Sequence, residues 1–298
     1  MSTAAVLLIR DEADIIEHVL RHTLATVDQA FVADGGSTDG TIEIVQELAA
    51  ELPIVLSHDT ELGWYQSRKC SRLAAQALEL GHDWVLPIDA DEIWLANDGR
   101  RIADFLAGVA PDVKTVRAVL YNHFPSALDL ESATNPLERI GWRSREHQPL
   151  QFGKVACRLL PGLVILDGNH GAWSPQVGGE IGGLEVRHFS WRSPERYAAK
   201  MAHGYRALTA TDLPHDIGRH WRDHGDPDAD PGYDERVQAH FRQWFFMDDP
   251  EADDSLVYDP VSRKLLTRQV RREKAPQKES GSSLPSIASV AGSEHPSD

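Results

Sequence analysis

The chain reads as an α/β protein built on a mostly parallel sheet flanked by helices, and three observations predict it. Short apolar runs alternate with amphipathic stretches of helical period over about the first hundred residues, the signature of a doubly wound sheet. Acids and glycines follow those runs, at the strand ends where open α/β sheets bind their ligands. The fourth run, Trp84 to Ile88, stops abruptly in three carboxylates, Asp89, Asp91 and Glu92.

Ala4 to Ile9 is an unbroken apolar run and predicts a buried first strand, and Ala13 to Thr26 carries Ile15, Ile16, Val19, Leu20 and Leu24 at helical spacing. Ala30 to Ala33 is a second short strand ending in Asp34-Gly35-Gly36-Ser37-Thr38-Asp39-Gly40, after which Thr41 to Leu52 is amphipathic. Pro53 to Leu56 is a third strand, Tyr65 to Leu80 a third helix closed by Gly81, and Trp84 to Ile88 a fourth strand. Beyond the acids, Arg101 to Leu106 reads as helix and Thr115 to Leu120 as strand. Val155 to Leu160 and Leu163 to Leu166, separated by Pro161-Gly162, predict a hairpin, and Leu184 to Phe189 a final strand. Helices return at Pro194 to Thr211 and Asp234 to Phe245, and the Ser-, Gly- and Pro-rich tail from about Pro276 predicts disorder.

Composition excludes some functions. A formal charge of −16 over 298 residues opposes a phosphate backbone, so no nucleic-acid partner is expected. Only Arg263 to Lys274 is locally basic, which leaves room for peripheral membrane association. The two cysteines, Cys70 and Cys157, lack C-x-x-C spacing, so neither a disulfide framework nor a zinc site is predicted. Met1 to Ile9 lacks a basic segment and cleavage site, and no run approaches the roughly twenty apolar residues of a membrane span; a cytoplasmic setting without an integral membrane segment is the expectation.

Adjacent carboxylates repel, so the Asp89-Ala90-Asp91-Glu92 cluster predicts a compensating cation, with Mg²⁺ or Mn²⁺ suited to hard oxygen ligands; a solvated acidic turn is the alternative. Asp34, at a strand end beside a glycine turn, suits the polar edge of a base or ribose, while Thr38 or Asp39 suits the cap of the following helix. No G-x-G-x-x-G follows the first strand and no Walker sequence occurs, so no dinucleotide or ATP phosphate cradle is expected.

Ile9-Arg10-Asp11-Glu12-Ala13-Asp14-Ile15-Ile16, then Asp34 to Thr41, then Asp89 to Glu92, in this order and spacing, resemble a family 2 glycosyltransferase of the GT-A fold. The likeness extends more loosely through Gly168-Asn169-His170 and His188 to Ser193 as far as Lys200, and departs at Asp11, where related chains commonly carry Asn. It implies a nucleotide-diphosphate sugar, UDP- or GDP-type, across the strand ends. Asp34 would accept from the base, Arg10 and Glu12 would lie along the nucleoside, and Asp89 would contact the ribose or a metal-bound water. Asp91 would hold the divalent metal, completed by His188 unless that histidine is structural; Arg192 could neutralise diphosphate oxygens and Arg68 could reach the donor, each equally readable as a polar helix position. Gln66 and Lys200 are further donor contacts, each equally readable as a solvated helix position.

An inverting transfer needs a base beside the acceptor hydroxyl. His170 and Asp167, in a glycine-flanked loop, are the choices, with Glu146 and His147 behind them; Asp167-Gly168 reads equally as a turn. Trp173 and Trp191 could shape an acceptor pocket, core packing being the plainer role. The histidines from His215 to His224 read as a polar helix rather than a metal cluster.

The expected organisation is a donor-binding half over 1–100, an acceptor-binding and catalytic half over 101–212, a helical extension over 213–275 and a disordered tail over 276–298. The expected activity is metal-dependent, inverting hexosyl transfer to a hydroxyl acceptor that the sequence does not identify. Alternatives using the same carboxylates are a nucleotidyltransferase, a sugar-nucleotide hydrolase, and a non-catalytic sugar-nucleotide-binding protein.

Overall fold

The structure is a computed structural model that describes residues 1–129, 133–214 and 217–261. Strand β1 (Thr3–Ile9) leads to helix α1 (Ile16–Thr26), followed by β2 (Gln29–Asp34), α2 (Thr41–Ala49), β3 (Ile54–His58), α3 (Gln66–Glu79) and β4 (Trp84–Pro87). The strands pair in parallel in the order β3-β2-β1-β4, Ala4 standing opposite Gln29 on one side and Val85 on the other. Helices cover both faces, which is why β1 and β4 are apolar without alternation. Ile16, Val19 and Leu20 of α1 are wholly buried, each worth about 1.5–3 kcal/mol of burial.

The second half breaks the alternation. In chain order it holds β5 (Glu92–Ala96), α4 (Ile102–Ala107), β6 (Val113–Phe124), α5 (Pro136–Arg139), β7 (Trp142–Ser144), β8 (Lys154–Arg158), β9 (Val164–Ile165), β10 (Ala172–Trp173), β11 (Gly179–His188), α6 (Pro194–Thr209), α7 (Arg219–Arg222), α8 (Tyr233–Trp244) and β12 (Leu256–Tyr258). β8 is antiparallel between β4 and β6, with Cys157 opposite both Val85 and Thr115. β11 runs parallel to β6 and antiparallel to β5. The sheet is therefore mixed, parallel in its amino-terminal half and largely antiparallel beyond it.

The hairpin predicted across Pro161-Gly162 does not form. Lys154 to Cys157 are buried, and β8 is flanked by β6 along Lys154 to Cys157 and by β4 at Cys157 and Arg158, so a second arm finds no place beside it. The chain turns away at Gly162, which needs its φ of +83°, and Val164–Ile165 pairs with Ala172–Trp173 instead. β5, absent from the sequence reading, starts within the acidic turn.

Tyr197, Met201, Leu208, Trp221, Val237 and Phe241 form a separate apolar cluster that packs α6 against α7 and α8. β12 pairs with β7, so the segment expected to be a helical extension also supplies an edge strand. The basic stretch 263–274 and the tail from 276 lie outside the described residues, as does His215. No helix among the described residues is long and apolar enough to cross a membrane.

Candidate active site

The loops after β1 and β2 are stitched together. Asp11 adopts a left-handed φ of +51°, a conformation Asp tolerates better than most residues. Its carboxylate accepts the Thr38 N–H at 2.7 Å, and its own N–H donates to Ser37 Oγ at 2.9 Å. Asp34 is buried, and its oxygens accept from Gly36 N–H at 3.0 Å and Ser37 Oγ at 2.5 Å. It organises its own turn. Asp39 accepts the first helical N–H of α2, Thr41, at 3.1 Å.

The acidic strand end is densely paired. Asp89 Oδ2 lies 2.5 Å from Lys154 Nζ, and its Oδ1 accepts from Asn169 Nδ2 at 2.9 Å and Gln66 Nε2 at 3.4 Å. Glu92 is wholly buried: Oε2 accepts from Asp89 N–H and Trp94 Nε1–H, and Oε1 is 2.9 Å from Lys154 Nζ. Burial pushes the Glu92 carboxyl up against the pull of Lys154. Asp91 meets Lys200 Nζ at 2.7 Å and Arg192 Nη1 at 3.6 Å on Oδ2, and His188 Nε2 at 3.4 Å on Oδ1. Burial alone would raise Asp91, but Lys200, His188 and Arg192 outweigh it and hold it well below the usual carboxylate range.

Pairing of β5 with β11 sets His188 opposite Glu92, and Phe189 N–H donates to the Asp91 carbonyl at 2.8 Å. The sheet itself thus delivers the histidine to the acids. His188 Nδ1 lies 3.0 Å from Asn122 Oδ1, a contact that orients the ring with Nε2 toward Asp91. Asp91 Oδ1 and His188 Nε2 form a two-ligand set of the kind that completes a Mg²⁺ or Mn²⁺ shell with substrate phosphate and water. Among the described residues no group of three His, Cys, Asp or Glu could hold a metal alone. The three acids are matched by Lys154, Lys200 and Arg192, so mutual repulsion no longer argues for a metal.

Arg192 is a hub. Its side chain is only 4% exposed; Nε pairs with Asp14 at 2.8 Å, Nη2 with Glu12, and Nη1 donates to the Phe189 carbonyl at 3.0 Å. Its donors face protein acids rather than open space. Arg196 joins it, reaching Asp14 at 2.8 Å and Asp39 at 2.9 Å. Burial raises the Glu12 carboxyl, with Arg192 opposing. Arg10 stays partly exposed, 3.8 Å from Asp11 Oδ2. Arg68 is exposed, pairs with Glu61, lies 4.3 Å over the Tyr65 ring, and lines a cleft of about 410 Å³ with Asp167, Val164 and Leu213.

The 167–170 loop abuts the acids. Asp167 accepts Ser67 N–H at 2.9 Å and so caps the start of α3. Gly168, at φ +73°, carries no side chain because one would run into the His170 ring. Asn169 holds φ +59° and is buried. His170 donates Nδ1–H to the Gly153 carbonyl at 3.1 Å, and burial, then Lys154, lowers its pKa, so the ring is neutral with its lone pair on Nε2. Glu146 and His147 are exposed. Trp191 is no sugar platform: Phe124 and Phe245 stack on its two faces at 4.9 and 4.6 Å. Trp173 is exposed. Sequence reasoning passed over Lys154, Asn122 and Arg196 and gave Asn169 no role of its own; their roles arise from tertiary contacts.

Residues 5–145 match the family model described as glycosyl transferase family 2. A TPR repeat-containing protein of Synechococcus elongatus is 34% identical over 86 residues, 29% of this chain and 19% of that protein. The chain thus spans about a fifth of that curated relative. Among solved structures, S. aureus TarS 1–349 in complex with UDP is 14% identical, covering 82% of this chain and 72% of that one at a TM-score of 0.39. The same protein in complex with UDP-GlcNAc gives 15%, 82%, 73% and 0.35. Glucosyl-3-phosphoglycerate synthase from Mycobacterium tuberculosis, in complex with phosphoglyceric acid, is 21% identical over 40% of this chain and 44% of that one, at a TM-score of 0.27.

Proposed function

Residues 5–145 belong to glycosyl transferase family 2, and from that premise we propose that the chain transfers a glycosyl group from a nucleoside diphosphate sugar to an acceptor hydroxyl, with inversion at the anomeric carbon. The observation that carries this reading is the Asp91–His188 pair, with Lys200 beside it, at the carboxyl ends of the strands. In the reaction the bond from the anomeric carbon to the diphosphate oxygen breaks and its electron pair leaves with the nucleoside diphosphate. The acceptor oxygen forms the new bond and its proton passes to a base.

His170 is the base we assign. It is neutral, with Nε2 free to accept, and its loop lies against Asp89. Asp167 already accepts from the α3 backbone and is the weaker choice. A divalent ion held by Asp91 and His188 would supply Lewis-acid stabilisation of the diphosphate. Lys200, 2.7 Å from Asp91, is the ammonium placed to share that charge. Arg10, Glu12 and Asp34 line the β1 and β2 ends assigned to the nucleoside. Asp34 would exchange its Ser37 bond for the base, and Arg10 carries the donors least committed to protein.

A thermal-shift screen of nucleoside diphosphates and their sugars, with and without Mn²⁺, tests this reading. A cognate ligand at about a hundred times its Kd adds about 2.7 kcal/mol. That corresponds to a rise of roughly 5–11 °C for a domain of this size. No shift with any nucleoside diphosphate or sugar nucleotide, metal present, would refute it.

A further inference from the structure

Lys154 lies on β8, far in sequence from every acid it serves. Its side chain is 3% exposed; its ammonium donates to Asp89 Oδ2 at 2.5 Å and to the Gly168 carbonyl at 2.9 Å, and it forms an ion pair with Glu92 Oε1 at 2.9 Å. Two of these belong to the acidic strand end and the third to the 167–170 loop. Two further ties join the same pieces. Asn169 Nδ2 donates to Asp89 Oδ1 at 2.9 Å, and Gln66 bridges them, its Nε2 to Asp89 Oδ1 at 3.4 Å and its Oε1 accepting Gly168 N–H at 2.7 Å. Both oxygens of Asp89 are thus occupied by groups that hold the loop.

The loop turns through two left-handed residues, Gly168 and Asn169. Asn169 sits at φ +59° while 1% exposed, and its Oδ1 has no partner among the described residues. Left-handed, buried and half-satisfied residues persist only where their surroundings over-determine them. The residue before Lys154 also accepts from His170, through the Gly153 carbonyl at 3.1 Å.

We propose that Lys154 is a positioning residue that pins the 167–170 loop, and His170 with it, to the acidic strand end, so that Asp89 works on the acceptor side of the site by holding the base-bearing loop. The part concerning His170 rests on the glycosyl-transfer reading; the pinning rests on the contacts alone. Reacting groups tolerate little displacement, a shift of about 1 Å costing about a hundredfold in rate.

Lys154→Met alone would strand the buried Glu92 carboxylate. The substitution is therefore made on Glu92→Gln, whose amide oxygen can still accept from Asp89 N–H and Trp94 Nε1–H, and compared with Glu92→Gln itself. The expected result is a fall in kcat of about a hundredfold, a donor KM within about threefold, and faster amide hydrogen exchange over residues 168–171. Asn169→Gly, which keeps the backbone angle and unpairs no charge, should move kcat and the same amides in the same direction by about tenfold. Unchanged kcat in either variant, or unchanged exchange in the loop, overturns the proposal. If the unaltered protein turns over no sugar nucleotide, the glycosyl-transfer reading falls, while loop exchange still decides whether Lys154 pins the loop.

Discussion

Arg192→Met tests whether the amino-terminal loop and the start of α6 are held by one buried ionic hub. The guanidinium is 4% exposed, and Glu12 and Asp91 beside it are 14% and 3% exposed, so its removal leaves two carboxylates short of charge in a poorly solvated place. Removing one partner of a buried pair costs about 3–5 kcal/mol. The lower end applies here, because Arg196 remains 2.8 Å from Asp14 and Lys200 remains 2.7 Å from Asp91. At about 2–4 °C per kcal/mol, a loss of about 3 kcal/mol lowers Tm by roughly 6–12 °C. The effect depends on pH. Burial already raises Glu12, and loss of Arg192 raises it further; a carboxyl whose folded pKa exceeds its unfolded value weakens the fold above the unfolded pKa and ceases to do so once protonated. Calorimetry should therefore find a larger drop at pH 7.5 than at pH 5. A drop below about 2 °C, or one equal at both pH values, would refute the reasoning.

Trp191→Ala empties the slot between Phe124 and Phe245 and should cost about 3–5 kcal/mol of stability while acceptor KM stays within about twofold; a large rise in KM without loss of Tm would restore Trp191 as a sugar platform. Because burial and Lys154 lower His170 below its ordinary 6.5, kcat/KM should be flat above pH 7 and fall as pH drops through that depressed value. His170→Gln should abolish activity, and a profile still climbing through pH 8 would exclude His170 as the base.

The amino-terminal half was legible because its information is local. Buried parallel strands read as unbroken apolar runs, so Val6, Phe31 and Val85 announced their strands, and the acids at their ends followed from position. The Val155 run looked like half of a hairpin because an apolar run does not say which strands flank it, and its partners, at Val85 and Thr115, are far along the chain. The same distinction divides the site. Asp89, Asp91 and Glu92 announced themselves by adjacency, and His188 through the family resemblance. The cations that neutralise them come from Lys154, Arg192 and Lys200, and only the fold reveals that Lys154 and Glu92 share a buried ion pair. Trp191 illustrates the converse: its closeness to His188 suggested a platform, and only tertiary packing shows both its faces covered.

The central claim is that Asp91 supports cleavage of a sugar–diphosphate bond, and the direct measurement is nucleoside diphosphate release from UDP- and GDP-sugars, with Mn²⁺ and a hydroxyl acceptor, by the unaltered chain and by Asp91→Asn. The account predicts metal-dependent release by the former and a loss of at least about a hundredfold in the latter with the fold retained, since charge stabilisation of the leaving group is removed. Full metal-dependent turnover by Asp91→Asn would contradict it.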